Sequence, residues 1–289
     1  MMKKKMMAIA AIALGVLGVS CSSDDGPPVA TLTMEVVGLE TLTNGATYEG
    51  WIIVDGNPIS TGKFTSTANT QNFVAIASQL EDATSFVLSV EPPNDTDPGP
   101  SDTKILSGNF NGTTAEVRVT NVIGDFTSVS GEFVMASPTD TDPDNDQNGI
   151  WFMNPNGGSP VAGLNLPTLQ QGWKYEGWVV INNVPVSTGT FSSLSGVDDA
   201  SPYSGNQTAP DFPGEDFINN APSPLTFPQD GDVRGKQVVI SVEPNPDYDQ
   251  AEPFFFKPLT GTAGQDLAPA LNTLGPNGTG PFGTVTRPN

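Results

Sequence analysis

Apolar and polar residues alternate along many short segments of this chain, with the period of two that is typical of β-strands with one buried face. In the segment 86–91, Phe86, Leu88 and Val90 share one face. The same alternation recurs at 31–36, 115–119 and 238–242. No stretch of helix length carries an apolar stripe of period 3.6, and 74–86 is the nearest candidate for a turn of helix. With 31 Gly and 27 Pro available for turns, the pattern predicts an all-β, antiparallel protein.

The chain carries the same series of strand motifs twice. The first motif, at 48–54, reads Tyr-Glu-Gly-Trp-Ile-Ile-Val and recurs 127 residues later as Tyr-Glu-Gly-Trp-Val-Val-Ile. The second, Ser-Val-Glu-Pro at 89–92, recurs unchanged 152 residues later. Repetition of several strand motifs in the same order indicates two homologous units.

These copies predict two tandem antiparallel β-sandwich-like domains, at 29–148 and 149–289. The change of offset places about 25 additional residues in the second copy. They fall within 195–231, a stretch rich in Pro, Gly, Asn and Asp that predicts a long surface insertion. Because each copy repeats its strand motifs, we expect each domain to fold on its own.

Residues 1–20 have the three parts of a secretory signal peptide: a basic start, an apolar run of 14 residues and a small-residue junction. The apolar run is shorter than the roughly 20 residues that a transmembrane helix needs. Cys21, the one cysteine of the chain, directly follows and is the expected lipidation site; simple secretion with a spare thiol is the alternative. An acidic tether follows at 21–28. We expect a lipid anchor in the outer membrane, with the protein in the cell envelope, periplasmic or surface-exposed.

Charge and composition exclude several functions. The chain has 11 Lys and Arg against 32 Asp and Glu, a net charge of −21, so its surface repels phosphate backbones and we expect no nucleic-acid partner. It contains no His, which removes Ser-His-Asp and Cys-His catalysis and His-ligated zinc. The composition therefore predicts a protein that is not an enzyme and has no catalytic residues.

The repeated motifs also resemble a known family. An aromatic strand leads into Gly-Asn-Pro at 56–58 or Asn-Val-Pro at 183–185, then Ser-Thr-Gly-x-Phe, and later Ser-Val-Glu-Pro before a loop rich in Pro and Asp. This order resembles the extracytoplasmic, C-terminal domain of anti-sigma-K factors, here in two tandem copies. Members of that family carry a cytoplasmic sigma-binding region, often with a zinc site of His and Cys, and then a transmembrane helix. The resemblance implies the sensory or scaffolding half of such a system, without direct contact with a cytoplasmic sigma factor.

Two functions follow from these observations. The first is an extracytoplasmic sensor or interaction module that binds an unidentified envelope protein. The second is a surface adhesin that binds a glycan or matrix component. The four tryptophans would form a sugar-stacking platform if they were exposed, whereas their positions in alternating strands favour packing in the core. They are Trp51, Trp151, Trp173 and Trp178.

One acidic run is a candidate for weak calcium binding. Its oxygen-bearing residues are Asp140, Asp142, Asp144, Asp146 and Asn148. From the third aspartate onward the run reads Asp-x-Asp-x-Asn-Gly, the start of an EF-hand-type loop, but the twelfth position is proline instead of the bidentate glutamate. A solvated interdomain turn is the alternative. We expect no other cofactor.

Carboxylates also recur in both copies. Glu49 corresponds to Glu176 and Glu91 to Glu243, and their place in strand motifs favours structural acceptors for backbone N–H groups over a pair for glycoside hydrolysis. Matching acidic loops follow, which are either equivalent surface loops or two weak cation sites. Their members are Asp95, Asp97 and Asp102 in the first copy and Asp247, Asp249 and Glu252 in the second.

Overall fold

The regular secondary structure of the described residues consists almost entirely of antiparallel β-strands. The computed structural model describes residues 26–289, in which the one α-helix is α1 (Ala77–Asp82), inside the stretch 74–86. The predicted all-β class is confirmed. No helix within these residues is long and apolar enough to cross a membrane. The signal peptide, Cys21 and most of the acidic tether lie outside the described residues.

The first sheet has eight strands and is nearly closed. In chain order they are β1 (Val29–Val37), β2 (Thr47–Val54), β3 (Asn57–Phe64), β4 (Thr70–Ile76), β5 (Ser85–Glu91), β6 (Lys104–Asn111), β7 (Thr114–Arg118) and β19 (Phe282–Thr286). Their order in the sheet is β3-β2-β5-β6-β7-β19-β1-β4. The two edge strands, β3 and β4, are consecutive in the chain and touch each other, so the sheet curls around its own apolar face.

The second sheet has seven strands and stays open. It contains β8 (Ser130–Phe133), β12 (Leu164–Asn165), β13 (Trp173–Ile181), β14 (Val184–Phe191), β16 (Gln237–Pro244), β17 (Leu259–Thr262) and β18 (Asn272–Pro276). Their order is β12-β8-β18-β17-β16-β13-β14. Two short ribbons complete the fold, β9 (Gly149–Trp151) with β15 (Gly214–Asp216) and β10 (Met153–Asn154) with β11 (Val161–Ala162).

The two halves exchange strands. β19, from the end of the chain, lies in the first sheet between β7 and β1, and its Val285 is fully buried there. β8, from the first half, lies in the second sheet between β12 and β18. The expectation of independent folding assumed that each half keeps all of its own strands, and that assumption is wrong. The division at 148/149 therefore remains a description of the sequence repeat and not of the sheets.

Equivalent hairpins join β2 to β3 and β13 to β14. Asp55-Gly56 and Asn182-Asn183 both have two successive positive φ angles, as a type I′ turn requires. Pro58 and Pro185 follow these turns on β3 and β14, which are edge strands where a missing N–H is tolerated.

The insertion 195–231 is only partly a surface loop. Its residues 214–217 are buried, and they pair with β9 as strand β15. Asp216 accepts hydrogen bonds from the Thr139 backbone N–H at 2.7 Å and from Trp151 Nε1 at 2.8 Å. The surface prediction is wrong for this part, because a carboxylate that receives several donors is stable when it is buried.

Candidate functional site

Two equivalent groups of three carboxylates are the most distinctive chemical feature of the described chain. In each group, one oxygen from every residue lies within 4.8 Å of the others. The first triad is Glu49, Glu91 and Asp95, and the second triad is Glu176, Glu243 and Asp247. Each member of one triad corresponds to a member of the other through the sequence repeat.

Neighbouring strands position these carboxylates. In the second half, Glu176 lies on β13 directly opposite Ser241 of β16, and Glu243 follows two residues later at the end of that strand. Side chains two residues apart on a strand lie on the same face of the sheet, so Ser241 and Glu243 point in the same direction. Asp247 reaches the group from the loop after β16. The first triad is built in the same way from β2, β5 and the loop after β5.

A buried tryptophan connects to each triad through a serine. Trp51 Nε1 donates to Ser89 Oγ at 2.8 Å, and Ser89 Oγ donates to Glu91 Oε1. In the second half Trp178 Nε1 donates to Ser241 Oγ at 2.8 Å, and that hydroxyl donates to Glu243. All four tryptophans are at least 96 % buried, so the predicted core packing is confirmed and the tryptophans form no exposed stacking platform.

Further donors hold one oxygen of each carboxylate in the second triad. Ser187 Oγ donates to Glu176 Oε1, the Phe254 backbone N–H donates to Glu243 Oε1 at 2.9 Å, and the Asp249 backbone N–H donates to Asp247 Oδ1 at 2.8 Å. The first triad has the equivalent three bonds, from Ser60 to Glu49 at 2.5 Å, Ser101 to Glu91 at 3.2 Å and Asp97 to Asp95 at 3.0 Å. The predicted role of the strand-end glutamates as backbone acceptors is confirmed.

The triads differ in one neighbouring side chain. In the first, Lys63 lies opposite Glu49 across the β2–β3 pair, and its Nζ is 2.9 Å from Asp95 Oδ2 and 3.6 Å from Glu49 Oε2. In the second, Thr190 holds the position opposite Glu176. Its hydroxyl donates to Asp199 at 2.7 Å and brings no positive charge. The first triad therefore contains its own cation and the second does not.

The electrostatics of the first triad follow from Lys63. Its ammonium holds the pKa of Asp95 below the usual range, and Asp95 in turn raises the pKa of Lys63. Burial raises the pKa of Glu91, against the hydrogen bonds from Ser89 and Ser101. Here the lysine stabilises the ionised form of its partner.

In the second triad all three acids resist ionisation. Burial raises the pKa of Glu176 to about 7 and that of Glu243 to about 8, and the neighbouring carboxylates add to both. The pKa of Asp247 is also raised, mainly by burial. Without a cation, three carboxylates so close together cannot all be charged at low cost.

An open cleft of about 370 Å³ lies beside the second triad. All three carboxylates line it, together with Thr190 and the Lys174 side chain. The Lys174 ammonium lies 2.8 Å from Asp199 Oδ2. Glu176 is only 4 % exposed, and its Oε2 is buried with no donor within the described residues. The cleft thus presents an acidic surface with an unsatisfied carboxylate oxygen.

The acidic run predicted for weak calcium binding lies apart from both triads. Asp140 accepts hydrogen bonds from the Asp142 backbone at 3.1 Å and from Asn145 Nδ2 at 2.6 Å. Asn148 is buried, and its amide donates to the Pro228 carbonyl at 2.6 Å. Neither triad includes a residue of this run. Calcium binding there, with Asp144 and Asp146, stays a prediction.

All six triad residues belong to repeated motifs of the sequence, but the alternation of apolar and polar residues does not predict that they lie close together in space. The sequence predicts the glutamates as structural acceptors, and it places Asp95 and Asp247 in matching acidic loops that are either surface loops or two weak cation sites. A usable signal was present, because both copies read Glu-Pro-x-x-Asp from the strand end into the loop. The second signal was the Lys63 to Thr190 difference at matched positions of an otherwise repeated motif.

Comparison with protein families supports the resemblance for part of the chain. Residues 15–104 match the family described as "Anti-sigma-K factor rskA, C-terminal". This segment resembles an anti-sigma-K factor C-terminal domain. The anti-sigma-K-like segment is less than a third of the chain and includes β1 to β5 and the first triad. The tandem arrangement rests instead on the internal repeat and on the equivalent triads. No curated protein and no solved structure matches the chain.

Proposed function

We propose that this protein is a non-enzymatic, lipid-anchored module of the cell envelope that senses or relays a signal through an envelope partner. The observation that carries the proposal is the anti-sigma-K-like segment at 15–104, which points to a regulatory module of anti-sigma-factor type. The basic start, the apolar run and Cys21 support an anchor outside the cytoplasm. From there, the protein acts on a sigma factor only through another protein that spans the membrane.

The burial of the tryptophans bears on the adhesin alternative. A sugar-stacking surface needs exposed aromatic rings, and Trp51 and Trp178 are 2 % and 1 % exposed, with both indole N–H groups bonded to serine. The adhesin alternative has lost its main support.

The proposal is tested in intact cells that carry a tagged protein. Metabolic labelling with a fatty-acid probe is expected to mark the wild type and not Cys21→Ser. Cross-linking before lysis is expected to recover a membrane protein with the anchored wild type, and Cys21→Ser serves as the matched control for mislocalisation. Deletion of the gene is expected to change the transcripts that depend on the sigma factor linked to that partner.

Equal labelling of the wild type and Cys21→Ser would contradict the anchor. Retention of the purified protein on an envelope glycan, with no transcript change on deletion, would contradict the regulatory role and favour the adhesin.

A further inference from the structure

We propose that the second triad binds a calcium ion, in the position that the Lys63 ammonium takes in the first triad. This inference does not depend on the proposed regulatory role, because it rests on the geometry of Glu176, Glu243 and Asp247 and on its comparison with the first triad. It also concerns a different site from the acidic run at 140–148.

The spacing of the carboxylates suits calcium. Oxygens within 4.8 Å of one another are close enough that small side-chain rotations bring all three to about 2.3–2.6 Å from one ion, which is the range for calcium. Magnesium needs oxygens at about 2.0–2.1 Å in near-ideal octahedral geometry, and it gives up its own waters reluctantly. Three carboxylate ligands for calcium are therefore present, and the adjacent cleft of about 370 Å³ leaves room for water molecules as further ligands.

Each carboxylate is already oriented by the fold. The described hydrogen bonds to Glu176 and Glu243 use Oε1 in both, and the one to Asp247 uses Oδ1. The second oxygen of each side chain is left for an incoming cation. A site whose ligands are held in place loses less conformational freedom on binding than a flexible loop does.

An unsatisfied buried oxygen gives an independent indication of a ligand. Glu176 is 96 % buried, it lines the cleft, and its Oε2 has no donor among the described residues. A buried carboxylate oxygen without a partner is costly, and a bound cation removes that cost.

The first triad shows where a cation lies in this arrangement. Lys63 Nζ contacts Asp95 Oδ2 and Glu49 Oε2 from the strand β3, and the matched residue on β14 is Thr190. Lys174 lines the same cleft as the second triad, but its ammonium pairs with Asp199 at 2.8 Å. The repeat thus keeps the three acids and omits the lysine.

Calcium titration of the purified, chelator-treated protein by calorimetry tests the proposal. We expect a dissociation constant on the order of 10⁻⁴ M or weaker, as in extracellular calcium modules. Asp247→Asn is expected to raise that constant at least tenfold, because it removes one of three charged ligands. Asp95→Asn, the matched change in the first triad, is expected to leave it within twofold of the wild type.

Thr190→Lys supplies the lysine that the second copy lacks. It is expected to abolish calcium binding at the second triad and to raise the melting temperature in chelator, as an internal ammonium replaces the ion. The double change Asp144→Ala/Asp146→Ala separates this site from the acidic run and is expected to leave the affinity of the second triad unchanged.

Three results would overturn the proposal: no calcium binding by the wild type up to 10 mM, equal affinity in the wild type and Asp247→Asn, or loss of all binding in Asp144→Ala/Asp146→Ala. Circular dichroism of each variant shows whether it is folded. Should Thr190→Lys fail to fold, the comparison of Asp247→Asn with Asp95→Asn still decides the matter.

Discussion

At the scale of single residues, both copies keep the same three carboxylates, but only one copy places a positively charged side chain beside them. Glu49, Glu91 and Asp95 share their site with Lys63, whereas the matching Glu176, Glu243 and Asp247 have Thr190 in its place. One substitution between the copies thus decides whether a lysine within the chain contacts two of the three acids. The sequence predicted the glutamates as hydrogen-bond acceptors, which they are. It did not predict the triads, because the contact between a strand end and the loop after it depends on how the loop folds back.

The raised pKa values of the second triad predict a pH-dependent stability in chelator. The pKa of Glu243 is near 8 in the fold and near 4.5 in an exposed glutamate, so the protein favours its protonated form. The stability that this preference gives is fully present below pH 4.5 and is lost as the pH rises through 8. Glu243→Gln stays neutral and keeps an oxygen for Ser241 and Phe254. We expect its stability relative to the wild type to increase from pH 5 to pH 8, by about 1–3 kcal/mol.

Thermal melts at the two pH values, in chelator, measure this difference. The charges of Glu176 and Asp247 raise the pKa of Glu243, so their own ionisation contributes to the same pH range; Lys174 lies opposite Glu243 on β13, and Tyr248 is also close. Glu116→Gln is the matched control, since that side chain is 70 % exposed. A constant difference between Glu243→Gln and the wild type at pH 5 and pH 8 would contradict the assignment.

At the scale of elements, alternation identified strands and their buried faces but not their neighbours. Phe86, Leu88 and Val90 all lie in β5 and are fully buried, as their period of two predicts. The turn of helix between 74 and 86 is also present as α1. Alternation carries no information on which strand lies alongside another, so the places of β8 and β19 could not be derived. The burial of β15 could not be derived either. Its polar residues are typical of a loop, and the sequence does not show the hydrogen-bond donors that allow them to be buried.

The exchange of β8 and β19 leads us to expect that neither half folds alone. Residues 29–148 would lack β19 and leave β1 and β7 unpaired on the facing edges, while residues 149–289 would lack β8 next to β18. Unpaired interior edges expose backbone groups and apolar surface. Each half expressed by itself is expected to give no cooperative thermal transition, and the two halves expressed together are expected to form a stable complex.

Adjacent residues of β19 provide a matched control for this expectation. Val285 is fully buried and Thr286 is exposed. In the full chain Val285→Asp is expected to lower the melting temperature strongly, and Thr286→Asp is expected to change stability by no more than about 0.5 kcal/mol. A cooperative transition in residues 29–148 alone would show that β19 is dispensable.

At the scale of the whole molecule, the duplication and the strand exchange join two similar acidic sites in one interlocked β structure. We propose that the second site is the one that takes an external cation, because Lys63 already contacts two of the three carboxylates in the first. The duplication could be predicted from the repeated motifs, but the exchange of β8 and β19 between the two halves could not. The central proposal is that the two triads are equivalent sites, and that the residue at position 63 or 190 decides whether calcium binds.

The most direct measurement is a calcium titration by calorimetry of the exchanged variant Lys63→Thr/Thr190→Lys, in a chain that also carries Asp144→Ala/Asp146→Ala to remove the acidic run. We expect one ion still to bind, at the first triad instead of the second. Adding Asp95→Asn should then abolish binding, whereas adding Asp247→Asn should leave it unchanged. Binding that still depends on Asp247, or no binding by a folded exchanged variant whose wild-type parent binds calcium, would contradict the equivalence of the two triads.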